Sequence, residues 1–222
     1  MRSRIIALTL ALACAAFGLG GGVDLMNQAE AEAKAGNHDA ALRTYTEAVK
    51  ATDLSKAQLA HAYYKRGGVY GNLGENIKGI ADYSKSLELN PNFGYALSLR
   101  GYLRGTIGQY DLAEKDQKAA LALAPSMNSP TYQPWVLQHY ADIWRRRGQH
   151  EKALDLCAQA LKLNEYPSVY FRSAWIYLDM NRPADAKVAF KKFEAEMTGQ
   201  GIPYSTLWLD ERGVVERLGR LP

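Results

Sequence analysis

One spacing constrains this chain more than any other feature. The stretch GENIKGIADYSKSLELNP closes at Pro91, and GQYDLAEKDQKAALALAP repeats its outline 34 residues later, closing at Pro125. Followed along the chain, the pattern yields five turn positions, Gly36, Gly74, Gly108, Gly148 and Asn181, at intervals of 38, 34, 40 and 33 residues. Seven residues before each turn stands Ala29, Gly67, Gly101, Ala141 or Ala174, and five after it Ala41, Gly79, Ala113, Ala153 or Ala186. A further seven on come Ala48, Ser86, Ala120 and Ala160. Side chains this small let two antiparallel helices approach closely, so the pattern predicts the contact seam of a helical hairpin. The residue at the turn must take a positive φ, which glycine does freely and asparagine tolerates. Tyr45, Tyr83, Cys157 and Phe190 are placed to fill the space between hairpins, and Pro91 and Pro125 to stop two second helices.

The intervals that exceed 34 have readings of their own. ATDLSKAQLAHAYY lengthens the first helix of the second unit from an N-cap at Asp53 or Ser55. PSMNSPTYQPW, with three prolines, reads as a stiff surface loop over 125–134, a second candidate for contact with a partner.

The two ends differ from the repeats. MRSR supplies positive charge, Ile5 to Ala13 an uncharged apolar run, and ACAAFG small residues, the order of a secretory signal peptide over 1–23. The apolar run is shorter than the roughly 17 to 25 residues of a transmembrane helix, so the mature chain is expected to be exported, to a periplasm or an equivalent space, with no membrane span. Its start is expected between Ala16 and Leu19. A second reading cuts before Cys14 and acylates it, giving a lipoprotein. At the other end, 199–222 reads as a linker and capping helix, because Leu207, Val214, Val215 and Leu218 recur at helical spacing. The repeats occupy 24–198.

Chemistry is sparse. His38, His61, His139 and His150 stand at no metal-ligand spacing, no nucleophile elbow or phosphate loop appears, and Cys157 occupies an inter-helix filling position, so neither catalysis, cofactor nor metal is expected. The formal charge of +4 falls to +2 if Arg2 and Arg4 leave with the leader, too little for a nucleic-acid footprint. The basic run Arg145 to Arg147 sits before Gly148, where a helix end favours cations.

Five units with this order of small residue, glycine, alanine, aromatic, alanine and proline resemble the tetratricopeptide repeat family. The resemblance implies an all-α, right-handed superhelical solenoid of about five helix-turn-helix units and a C-terminal cap. It also implies a non-enzymatic scaffold that binds a peptide segment of a partner protein in a concave groove. Carried over residue by residue, the family's inward positions include Tyr64, Gly68 and Asn72, then Tyr95 and Tyr102, then Trp135, Gln138, Asp142, Arg145 and Arg146. Gly68, Gly71 and Gly105 lie inside first helices, at a cost of about 1 kcal/mol each relative to alanine. Close approach of a ligand backbone and fraying of the helix end both account for them. The family's carboxylate-clamp pattern is not matched, since Tyr95 and Leu99 stand where its basic residues fall. Phe193 replaces a small residue in the fifth unit, which the reading ascribes to contact with the tail. The competing functional reading is a structural or self-associating component of an envelope assembly, as a homo-oligomer.

Overall fold

The computed structural model describes residues 21–164 and 167–199. Most of the leader, the tail with its expected cap, and Glu165 therefore lie outside the described residues. Within them the chain forms ten α-helices and no strand. The helices pair in chain order: α1 (Gly22–Lys34) with α2 (His38–Ala48), α3 (Lys56–Asn72) with α4 (Asn76–Leu89), and α5 (Gly94–Thr106) with α6 (Tyr110–Ala122). A short 3₁₀ turn (Ala124–Ser126) precedes α7 (Tyr132–Arg146) with α8 (His150–Leu163), and α9 (Pro167–Asp179) pairs with α10 (Pro183–Gly199). By internal contact the chain divides into two compact units, one ending at Ala96 and the other beginning at Leu97.

Each hairpin turns on the residue the spacing singles out. Gly36, Gly74, Gly108 and Gly148 have φ between 75° and 79°, and Asn181 takes 55°, the left-handed region that β-branched residues avoid. In all five, the N–H of the following residue donates to the carbonyl five positions back: Asn37 to Glu32, Glu75 to Tyr70, Gln109 to Arg104, Gln149 to Trp144 and Arg182 to Tyr177, each at 2.8 or 2.9 Å. This 6→1 bond satisfies a carbonyl that the helix end would otherwise leave open.

The small-residue seams are fully buried. Ala29, Ala41, Ala48, Ala113, Ala120, Ala141, Ala153, Ala160, Ala174 and Ala186 are all 0% exposed. At Gly67 an added Cβ would stand 3.1 Å from the Tyr83 ring, and at Gly101 3.0 Å from the Ala113 carbonyl oxygen, so in these two hairpins even a methyl is tight. Phe193 is accounted for within its own hairpin: its ring is 1% exposed and packs against Phe171 at 5.4 Å and Phe190 at 5.7 Å. The tail, to which the expectation assigned it, lies outside the described residues.

Two capping residues separate at the lengthened interval. Ser55 caps α3, accepting from the Gln58 amide while its own N–H donates to the Gln58 side chain. Asp53 instead serves α1, where the Gly22 N–H donates to both of its carboxylate oxygens at 3.0 Å. A Cβ on Gly21 would lie 2.7 Å from that carboxylate, and one on Gly22 2.6 Å from Leu54 Cγ. These glycines, read from the sequence as part of the leader region, therefore close the first hairpin.

Candidate functional site

In the unit beginning at Leu97, the first helices α5, α7 and α9 gather six of the sequence-predicted residues with several others. At the centre is Asp142, 1% exposed, whose carboxylate accepts from Arg145 Nε at 3.0 Å and Arg146 Nε at 2.6 Å, with Arg172 Nη1 3.5 Å away. Arg145 and Arg146 reach back from the last turn of α7, whereas Arg172 comes from α9, so the carboxylate ties neighbouring hairpins together. Burial opposes ionisation of Asp142, but the three guanidinium groups outweigh it and hold the carboxyl well below its usual range. The same guanidiniums lie on aromatic rings: Arg146 and Arg172 over Tyr102 at 6.0 and 5.8 Å, and Arg145 over Trp175 at 5.6 Å.

Behind this layer, His139 sets its ring edge-on to Tyr102 at 5.3 Å and to Trp135 at 4.5 Å. Its Nδ1 lies 2.8 Å from the Trp135 carbonyl, which suits the tautomer with the proton on Nδ1. Burial, with the charge of Arg172, pushes its pKa down to about 4, so the ring is neutral at pH 7. Gln138 is 4% exposed and accepts from the Ser168 hydroxyl. Gln138 and Asp142 thus support the face from beneath, while Tyr102, Trp135, Arg145 and Arg146 keep partial exposure on it. Arg172 and Trp175 join them.

The remaining predicted residues belong to the other unit. Tyr64 is half-buried on α3, 4.7 Å from Phe93 and 5.9 Å from Tyr83, and burial raises its hydroxyl pKa. Gly68 lies one turn on, Asn72 is the exposed last residue of α3, and Tyr95 is half-buried in the first turn of α5. The helical glycines resolve differently. A Cβ on Gly68 would meet only Tyr83 Oη at 3.6 Å, an ordinary contact. A Cβ on Gly105 would stand 2.8 Å from Ile143 Cγ1, so the approach of α7 explains Gly105 and no ligand backbone is needed there.

Sequence reasoning missed one class of residue. Arg66 donates through Nε and Nη2 to Asp82 at 2.7 and 2.8 Å, and Arg100 does the same to Asp116 at 3.0 and 2.7 Å, joined by Arg104 Nη1 at 2.7 Å. Both carboxylates are buried, Asp82 at 5% and Asp116 at 3%. The signal was present, since arginine precedes the small residue and aspartate follows 16 positions later in both units. Gln117 was missed as well: at the place where Tyr45 and Tyr83 stand in other units, it is 0% exposed and bonds to the Ser98 hydroxyl and carbonyl.

Five hairpins built on one geometry, with an arginine and aromatic face on α5, α7 and α9, define a helical-repeat interaction scaffold. Residues 60–93, 95–127 and 167–193 match the tetratricopeptide repeat, so the chain carries repeats of that family, whose fold is a non-enzymatic protein-interaction scaffold. Solved structures agree on the fold. A thermophilic tetratricopeptide repeat protein of Thermus thermophilus superposes with TM-score 0.69 at 18% identity, over 89% of this chain and 99% of that one. MamA from Desulfovibrio magneticus RS-1 gives 0.59 at 20% identity, over 81% and 96%. The Cut9–Hcn1 hetero-tetramer of the APC/C gives 0.66 at 20% identity, over 89% of this chain but only 36% of its neighbour. The chain thus spans about a third of that larger protein. No helix among the described residues is long and apolar enough to cross a membrane, and no His, Cys, Asp and Glu group there is arranged for a metal.

Proposed function

We propose that the chain holds a segment of a partner polypeptide against the α5, α7 and α9 face, in an exported compartment reached through the 1–23 leader. The observation that carries this reading is the layer of guanidinium groups on aromatic rings around Tyr102. Arginine and aromatic side chains combine planar apolar area with fixed donors, and they dominate measured binding energy at protein interfaces. The neighbour from a hetero-tetramer is in keeping with a scaffold role.

Tyr102→Ala is expected to weaken a bound partner by roughly 2 kcal/mol or more, chiefly through faster dissociation. Surface plasmon resonance against the partner measures this, with circular dichroism as the control for folding. Unchanged affinity with retained helicity removes Tyr102, and with it the face, from the reading. Export is tested by mass spectrometry of the mature N terminus. A chain beginning between Ala16 and Leu19 fits the soluble form, and one beginning at an acylated Cys14 replaces it with a lipoprotein.

Self-association is the competing reading. Leu73 and Ile77, 42% and 76% exposed on either side of the Gly74 turn, favour it. Light scattering that shows a concentration-independent monomer excludes it.

A further inference from the structure

The two carboxylates that hold Arg145 are not equivalent. Asp142 is 1% exposed and shared among three guanidinium groups, so nothing arriving from solvent replaces it. Asp179 lies at the rim with 24% of its side chain exposed, and it accepts from Arg145 Nη1 across from the neighbouring hairpin. Its position is unfavourable for its own helix. Asp179 is the last residue of α9, where the helix dipole already presents negative charge and a cation would be preferred. Among the described residues, Arg145, Arg146 and Arg172 meet Asp142 and Asp179 here, and all three guanidinium groups lie over Tyr102 or Trp175.

Resting on the binding face proposed above, we infer that this face takes an acidic segment of the partner polypeptide, and that Asp179 is an internal competitor which a ligand carboxylate displaces from Arg145. The exchange conserves charge pairing. One carboxylate leaves Arg145 Nη1 for water as another arrives, while Asp142 keeps its hold on Nε, so no donor of this part-buried guanidinium loses its acceptor. The competitor lowers affinity for every acidic segment, and only a ligand that also gains contact with Tyr102 and Trp175 binds well.

The test uses the full chain and a fluorescein-labelled decaglutamate peptide, with decaglutamine as the neutral control, read by fluorescence anisotropy at low and moderate salt. Asp179→Asn is expected to tighten decaglutamate binding about five- to tenfold and to leave decaglutamine unchanged. Arg145→Gln is expected to weaken decaglutamate about tenfold and to reduce its salt dependence. Thermal melting and circular dichroism of both variants establish that they fold. Asp179→Asn that folds and leaves decaglutamate affinity unchanged or lower overturns the inference, as does equal binding of both peptides to the unsubstituted chain. The binding face is judged separately: a partner weakened by Tyr102→Ala but indifferent to Asp179→Asn and Arg145→Gln keeps the face and rejects the acidic ligand, whereas a partner indifferent to Tyr102→Ala rejects the face itself.

Discussion

At the scale of the residue, glycine carries three distinct duties in this chain, and substitution separates them. At Gly108 it supplies φ of 79°, at Gly101 it admits a facing backbone, and at Gly105 it admits Ile143. Gly68 has none of these constraints, since the nearest atom to an added Cβ is 3.6 Å away. Gly68→Ala is therefore expected to stabilise the chain by about 0.5 to 1 kcal/mol through helix propensity alone. A rise in Tm of about 1 to 4 °C corresponds for a chain of this size. Gly105→Ala gains the same propensity but drives a methyl group to 2.8 Å from a side chain that is itself 1% exposed, and overpacking costs about 1 to 3 kcal/mol. Its Tm is expected to fall. If both variants melt alike, the close approach of Ile143 is not what holds Gly105 in place. Cys157 shows the same dependence on surroundings: burial pushes its thiol up to about 12, which makes it a packing residue at neutral pH.

At the scale of the element, α7 carries a pH response whose sign follows from its buried groups. His139 titrates near its ordinary 6.5 in the unfolded chain but is pushed down to about 4 in the fold, where Tyr102, Trp135, Arg172 and Asp142 surround it. Between these values the unfolded state binds the extra proton, so the contribution is complete above pH 6.5 and is lost as pH falls towards 4. The total is about 3 kcal/mol at about 1.4 kcal/mol per pH unit. Asp142, held below its usual 3.8, loses its own contribution only under more acid conditions. Chemical denaturation at pH 7.5 and 4.5 is expected to show a clear loss of stability for the unsubstituted chain and a smaller one for His139→Gln. Equal losses contradict the assignment to His139. What the sequence shows of this element is uneven. Its end at Gly148 and its seam at Ala141 are legible because backbone conformation and steric contact leave a fixed residue type at a fixed spacing. The burial of Gln138 and Asp142 is not legible, because inward positions carried over from a repeat say which side of the helix a residue is on. They do not say whether a neighbouring arginine then covers it. Nor does the single-helix pattern reveal Arg172, which meets Asp142 from the next hairpin.

At the scale of the whole molecule, five hairpins repeat one plan while the chemistry between them changes. The second and third carry a buried arginine and aspartate pair, and the fourth and fifth share Asp142. Such pairs are costly to break from one side, by about 3 to 5 kcal/mol, and they fix how one helix meets the next. The repeat thereby supplies stability at many seams and leaves the first-helix face in the second unit free to differ in composition. The central claim is that this face, and not the second-helix side, meets the partner. Site-specific photo-crosslinking tests it most directly, with p-benzoylphenylalanine replacing Trp135 or Trp175 on the first helices, and Lys85 or Lys118, 58% and 66% exposed, on the second helices. One polypeptide crosslinked from both tryptophan positions and from neither lysine position is the predicted result; crosslinking from the lysine positions alone contradicts it.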